Sequence, residues 1–185
     1  MVMDGGPTMM KAPLKIEWVW AMANKWTFEI TFVYDLLQQY LKVATNVLVP
    51  FAGETRFSHK QCTYIDIEDG RPPPYIKGDS LEVLPTLVKD KKKYDLIISD
   101  PPFSMFQAVH TYGNKRLQDI TYIKQNYVLL CRPGGRIIHF GFNSTGMGHN
   151  RGFLRERLII MNFGGSHNDM EILIEKRIEG SLDSH

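Results

Sequence analysis

Only two cysteines, Cys62 and Cys131, occur in the 185 residues, and both sit inside apolar stretches. They read as small buried hydrophobes, so neither a disulfide framework nor a thiolate metal site is expected. No apolar run approaches the ~18 residues of a membrane span, so a membrane is not an expected partner. The six histidines show no ligand spacing. His149 and His167 fall in glycine-rich loops, where polar contact is the ordinary role, and no metal is expected. Charge of one sign is scarce too. A net charge of +2 tolerates a nucleic-acid partner without arguing for one, since strong binding usually shows a denser basic patch. The densest basic cluster, Lys89 to Lys93, follows an amphipathic segment and reads as a solvated helix end favoured by the helix dipole.

Residues 1–13 lack a basic stretch followed by an apolar core, so they do not read as a secretory signal. They read as a disordered tail or cloning remnant, and residues 179–185 as a second flexible tail. That leaves 14–178 as one domain, large enough to bury a core unaided, with a cytoplasmic setting expected. A hydrophobic share of 43% and a charged share of 23% are ordinary for a globular chain. There is no internal repeat, low-complexity tract or dividing linker. A separate target-recognition domain would need about 60 or more further residues, and none is expected.

What is present is an alternation of helical and strand patterns. Ile30, Val33, Leu37, Tyr40, Leu41 and Ala44 recur at helical spacing. Asn46–Pro50 reads as a short apolar strand closed by proline, and Cys62–Ile67 as another, ending among acids. After the turn Arg71-Pro72-Pro73-Pro74, Ser80–Val88 reads as a helix capped by Asp79 or Ser80. Tyr94–Ser99 is a nearly all-apolar strand, as expected when both faces are covered. A helix over Leu117–Leu130 stops at Arg132-Pro133-Gly134-Gly135, and Arg136–Phe142 is the next strand. Leu158–Phe163 and Glu171–Lys176, joined by residues 164–169, read as a closing hairpin. The order predicts an α/β fold whose sheet is mostly parallel, with helices on both faces and one reversed strand near the end.

Asp100-Pro101-Pro102-Phe103 is the most informative stretch. A buried strand that runs into an acid and two prolines cannot continue its ladder, because proline fixes φ and brings no N–H. The backbone must turn out at the carboxyl edge of the sheet, where open α/β sheets bind ligands. A carboxylate and a free carbonyl beside an aromatic ring suit a planar group bearing an exocyclic NH2. Upstream, Gly53 marks a tight turn that lets a ligand approach the backbone. Asp66 ends the next strand, where an acid accepts from ribose hydroxyls or simply terminates the strand. Asp79 lies near a helix start, as an acceptor for an adenine amine, a helix cap, or both. Phe28 and Phe51 fit either a ligand wall or the core.

These pieces together resemble the S-adenosyl-L-methionine-dependent amino-methyltransferases, more narrowly the small adenine-specific DNA methyltransferases of phage and archaeal genomes. Asn24-Lys25-Trp26-Thr27-Phe28-Glu29-Ile30 is similar to that family's N-terminal cofactor motif, and Pro50-Phe51-Ala52-Gly53 to its glycine motif. Asp100 to Phe103 is similar to its catalytic Asp-Pro-Pro-Phe motif. Residues 132–135, 143–148, 151–153 and 164–169 resemble later turns and loops, so the likeness runs from about Asn24 to Lys176. It implies a Rossmann-like class I methyltransferase sheet and methyl transfer to an exocyclic nucleobase amine, adenine N6 in DNA foremost. It further implies that Asp100 and the Pro101 carbonyl accept the amine's N–H bonds, that Pro102 fixes the turn and that Phe103 stacks on a base drawn out of its helix. Asp66 would hold the ribose and Asp79 the adenine amine. Lys25, Thr27 and Phe28 would line the methionine end, above Pro50, Phe51 and Gly53. Val49 stands where the family often has an acid, and Glu54 and Thr55 where it often has a second glycine.

Residues 112–116 and 143–153 are the candidate substrate loops, with Lys115, Arg116, Asn143 and Arg151 for contacts to nucleic acid. The alternatives are an RNA base amino-methyltransferase, a DNA cytosine N4-methyltransferase, or a cofactor-binding relic without catalysis. A homodimer is a further possibility that no single residue of the sequence supports.

Overall fold

The computed structural model describes residues 13–24, 26–53, 55, 57–58, 61–67, 75–101, 120–165 and 168–179. Eight strands form one sheet: β1 (Lys15–Trp20), β2 (Val47–Val49), β3 (Cys62–Asp66), β4 (Tyr75–Lys77), β5 (Tyr94–Ser99), β6 (Cys131–Gly141), β7 (Phe153–Asn162) and β8 (Met170–Arg177). Their order across the sheet is β1-β7-β8-β6-β5-β2-β3-β4. Among the described strands β8 alone is reversed, antiparallel to both β6 and β7. The reversed strand is the one expected from the closing hairpin.

Among the described residues the α-helices are α1 (Thr31–Leu41), α2 (Ser80–Lys89) and α3 (Ile120–Leu130). Val33, Leu36, Leu37 and Leu41 of α1 bury against one face of the sheet, with Val47, Val49, Leu96 and Ile98 beneath them. Leu84 and Leu87 of α2 and Ile123, Tyr127 and Leu130 of α3 bury against the other, over Leu48, Ile65, Ile97 and Ile137. β5 alternates its side chains between the two cores, which is why it reads as an unbroken apolar run. Ile97 and Ile98 are both fully buried.

Two strands escape the sequence patterns: β4, only three residues long after a proline run, and β1. The latter alternates Ile16, Trp18 and Trp20 with Lys15, Glu17 and Val19. A third difference lies at residues 132–135. Helix α3 ends at Leu130 as expected, yet strand pairing already begins at Cys131. The Arg132–Gly135 segment is absorbed as an irregularity, where the register with β5 shifts between Tyr94 and Leu96. Gly134 takes φ +77°, and a side chain on Gly135 would stand 2.8 Å from the Arg132 carbonyl. No helix among the described residues is long and apolar enough to cross a membrane.

Candidate active site

β5 carries an acid near each end, and their surroundings differ. At the amino end, Asp95 Oδ2 accepts the N–H groups of Thr45 (3.0 Å) and Asn46 (2.9 Å), and Oδ1 accepts Arg132 Nη1 at 2.9 Å. At the carboxyl end, Asp100 is half-buried at the sheet rim. Its Oδ1 is buried with no hydrogen-bond partner among the described residues. Burial pushes the Asp100 carboxyl up to about 7, against the opposing effect of a hydrogen bond from the Thr27 side chain. A buried carboxyl oxygen without a partner costs stability. Such a group is expected where an incoming donor completes it.

The turn after β2 lies at the same edge. Ala52 N–H donates to Ile65 O at 3.0 Å and Gly53 N–H to Asp66 Oδ2 at 2.6 Å. Asp66 thus braces the glycine turn, in which Gly53 takes φ +51°. The Trp26 indole stands over that turn, 3.8 Å from where a Gly53 side chain would begin. The Ser80 hydroxyl donates to the Pro50 carbonyl. Gly78 N–H (2.9 Å) and Tyr75 OH (2.8 Å) both donate to Asp66 O. Asp79 is the N-cap of α2, with Oδ1 accepting Leu81 N–H at 2.9 Å.

The remaining cofactor candidates separate by depth. Pro50 is buried, Phe51 is half-buried against the α2–α3 core, and Phe28 is 5% exposed. The Phe28 ring packs edge-on against Phe57 (5.7 Å) and Phe140 (5.4 Å) in the α1-side core. Thr27 comes near enough to Asp100 to oppose the effect of burial on its carboxyl, a pairing that sequence spacing does not reveal. Lys25, Pro102, Phe103, Lys115 and Arg116 lie outside the described residues, as do Glu54, His167 and residues 1–12 and 180–185.

Beside Pro101 opens a cavity of about 310 Å³ between α3 and the carboxyl ends of β5 and β6, lined also by Ser99, Lys124, Tyr127, His139 and Asn143. The Ser99 and Tyr127 hydroxyls lie 2.9 Å apart, and Lys124 Nζ donates to Thr145 O at 2.8 Å. Burial, then repulsion from Arg151, pulls the Lys124 ammonium down against the pull of Glu175. Burial and then the Lys124 charge push His139 down to about 3, so its ring is neutral at ordinary pH. Its Nε2 stands 3.5 Å from Glu175 Oε2, a contact too long for a hydrogen bond and, with a neutral ring, no ion pair.

Glu175, fully buried on β8, accepts Met147 N–H at Oε2 and Gly148 N–H at Oε1 (3.0 Å). It ties the 143–148 loop down over the cavity. Gly146 fits because a side chain there would lie 2.0 Å from Glu175 Oε2. Asn143 is exposed on this loop, with Oδ1 accepting Thr145 N–H at 3.0 Å, and Arg151 Nη1 donates to Met147 O at 3.1 Å. The cavity therefore joins Pro101 and Asn143, two candidates far apart in sequence, and Arg151 flanks it through Lys124. Sequence patterns missed Lys124, His139 and Glu175. A signal existed for Lys124: it sits three residues before Tyr127, on the buried stripe of α3.

No protein-family profile matches this chain. No curated protein sequence matches it either. Solved structures do match by fold. TrmN from Thermus thermophilus superposes with a TM-score of 0.52 at 12% identity, over 80% of this chain and 49% of that one. The N-methyltransferase NodS from Bradyrhizobium japonicum WM9, in complex with S-adenosyl-L-homocysteine, gives 0.54 at 14% identity, over 85% and 94%. A SAM-dependent methyltransferase from Agrobacterium tumefaciens gives 0.52 at 10% identity, over 78% and 60%. The chain spans about half the length of TrmN. The fold is thus a Rossmann-like, mostly parallel sheet of the kind these methyltransferase structures have.

Proposed function

We propose that this protein is an S-adenosyl-L-methionine-dependent methyltransferase acting on the exocyclic amino group of a nucleobase, with adenine N6 in DNA as the first acceptor. The single observation that carries the reading is Asp100, whose Oδ1 is buried and without a partner among the described residues, directly after β5 and next in sequence to Pro101, which lines the cavity. The similarity in fold to an N-methyltransferase in complex with S-adenosyl-L-homocysteine supports the same class of chemistry.

The chain's own residues suit that cofactor. Asp66, bound to the Gly53 turn, and Asp79, at the start of α2, would supply the two acceptors, for the ribose hydroxyls and the adenine amine. The Trp26 indole walls this turn. When bound, S-adenosylmethionine supplies a methyl group activated by its sulfonium.

Asp100 Oδ1 accepts one N–H of the acceptor amine and the Pro101 carbonyl the other. This draws the nitrogen lone pair out of conjugation and aims it at the methyl carbon. The attacking nitrogen must shed a proton on methylation, and Asp100 Oδ1 would receive it. A carboxyl held near neutrality is matched to that task. Thr27 keeps the carboxyl oriented, and the neutral His139 and the Ser99–Tyr127 pair give the cavity polar walls without a net anion. A cytoplasmic setting agrees with this role.

The test is transfer of a labelled methyl group to DNA and to RNA, followed by nucleoside analysis. The expected product is N6-methyladenine in DNA, abolished in Asp100→Ala with cofactor affinity retained. Label in N4-methylcytosine or in RNA would redirect the substrate. Loss of cofactor binding together with transfer would remove Asp100 from the acceptor side.

A further inference from the structure

β1 closes one end of the sheet and pairs with β7 alone among the described strands. Ala21 N–H donates to Asn162 O of β7 at 3.1 Å. Backbone polar groups alternate sides along a strand, so the odd-numbered residues of β1 turn theirs towards β7. Ile16, Trp18 and Trp20 therefore direct their N–H and C=O groups outward, in position to meet another strand.

The same three residues also bare their side chains. Ile16 is 56% exposed, Trp18 70% and Trp20 78%, and Met22 continues the stripe at 88%. Val19 and Ala21, on the opposite face, pack against the α1-side core. On β7, Leu158 and Ile160 lie in register with Ile16 and Trp18 and are half-buried, extending the apolar face. The core beneath α2 and α3 includes no residue of β1. Natural edge strands are guarded by lysine, proline, bulges or a covering element. None of the outward residues of β1 offers such a guard.

We propose that β1 is the seam of a homodimer, in which two copies join β1 to β1 antiparallel about a two-fold axis at Trp18. The strand is its own complement in that register. Trp18 meets Trp18 of the second copy and Ile16 meets its Trp20, so the outward backbone groups form about six hydrogen bonds while the indoles stack. Lys15 falls opposite Ala21 and Glu17 opposite Val19, so no like charges face each other. Glu17 is already neutralised within its own subunit by Arg157, whose Nη2 lies 3.0 Å from Oε2. At ~150–250 Å² for each buried aromatic, four tryptophans with the flanking Ile16 and Met22 cover on the order of 1,000 Å², the range in which specific interfaces begin. A nucleic acid could stack on the rings but would leave the outward N–H and C=O row unanswered.

This geometry has a functional consequence. β1 runs in the same direction as β5, so antiparallel joining points the two carboxyl edges opposite ways. The two Asp100 sites then lie nine strand spacings apart across the sheet, about 43 Å at ~4.8 Å per spacing. Such a dimer does not read two half-sites of one duplex side by side.

Sedimentation equilibrium on the full chain tests the seam, with Trp18→Lys to charge its face and Ile16→Pro to remove an outward N–H while sparing the β7 ladder. The expected result is a micromolar dimer, weakened on the order of 100-fold or more in each variant, with far-ultraviolet circular dichroism unchanged and Trp18→Phe still dimeric. If Ile16→Pro fails to fold, Trp18→Lys decides alone. A monomeric wild-type chain, or a dimer indifferent to Trp18→Lys, overturns the proposal. So does a monomer whose indole fluorescence is quenched by oligonucleotides, because the face then belongs to nucleic acid.

Discussion

Asp95 lies on β5 and Asp100 directly follows it, and their carboxyls are shifted in opposite directions. Burial raises Asp95, but the N–H groups of Asn46 and Thr45 and the Arg132 guanidinium outweigh it and hold the carboxyl below its ordinary value. At Asp100 burial outweighs the opposing Thr27 side chain, and the carboxyl is raised from 3.8 to about 7. A carboxyl raised on folding favours the native state when protonated. Its contribution is complete below about 3.8 and is lost as pH climbs through about 7. Asp100→Asn should therefore match wild-type stability in acid and exceed it in mild alkali, by on the order of 2 kcal/mol in urea unfolding. The rate has the opposite pH dependence, since the ionised carboxyl is the acceptor. Wild-type kcat/KM for methyl transfer should climb about tenfold per pH unit below about 7 and then level. A flat profile would show that Asp100 is not the titrating group. His139 opposes this stability trend in acid. A histidine lowered to about 3 withdraws stability as pH falls from 6.5.

At the scale of elements, Asp95 fastens the amino ends of three strands, reaching β2 through Thr45 and Asn46 and β6 through Arg132. Asp95→Ala should cost roughly 2–4 kcal/mol in urea unfolding, because two backbone N–H groups lose their acceptor. Methyl transfer at low temperature should stay near wild type. A matching loss of activity would mean that the two ends of β5 are coupled. The helices and the long strands were legible because burial on both faces leaves apolar runs and 3.6-residue stripes. β4 was not, since three residues cannot establish a period. β1 carries a clean alternation, but its apolar half faces solvent, the reverse of the pattern a lone half-buried strand is expected to show.

Over the whole molecule a net charge of +2 leaves little field to gather a polyanion, so non-specific DNA binding should be weak, with a shallow dependence on salt. Arg151 flanks the cavity beside Lys124. If it touches a phosphate, Arg151→Ala should lower the slope of log K against log salt by about 1. An unaltered slope would clear the 143–153 loop of that contact. The chain's order of apolar runs, prolines and glycines was enough to specify an α/β sheet with a reversed strand, and to put an acid at the carboxyl end of β5, because local sterics and burial write directly into sequence. Packing alone assembled the rest. Thr27 reaches Asp100, Asp66 braces Gly53, and Glu175 pins a loop over Lys124 and His139, through contacts between segments that no spacing rule connects. It also left the indoles of β1 bare at an open edge, a property of the finished surface that the strand's own residues do not announce.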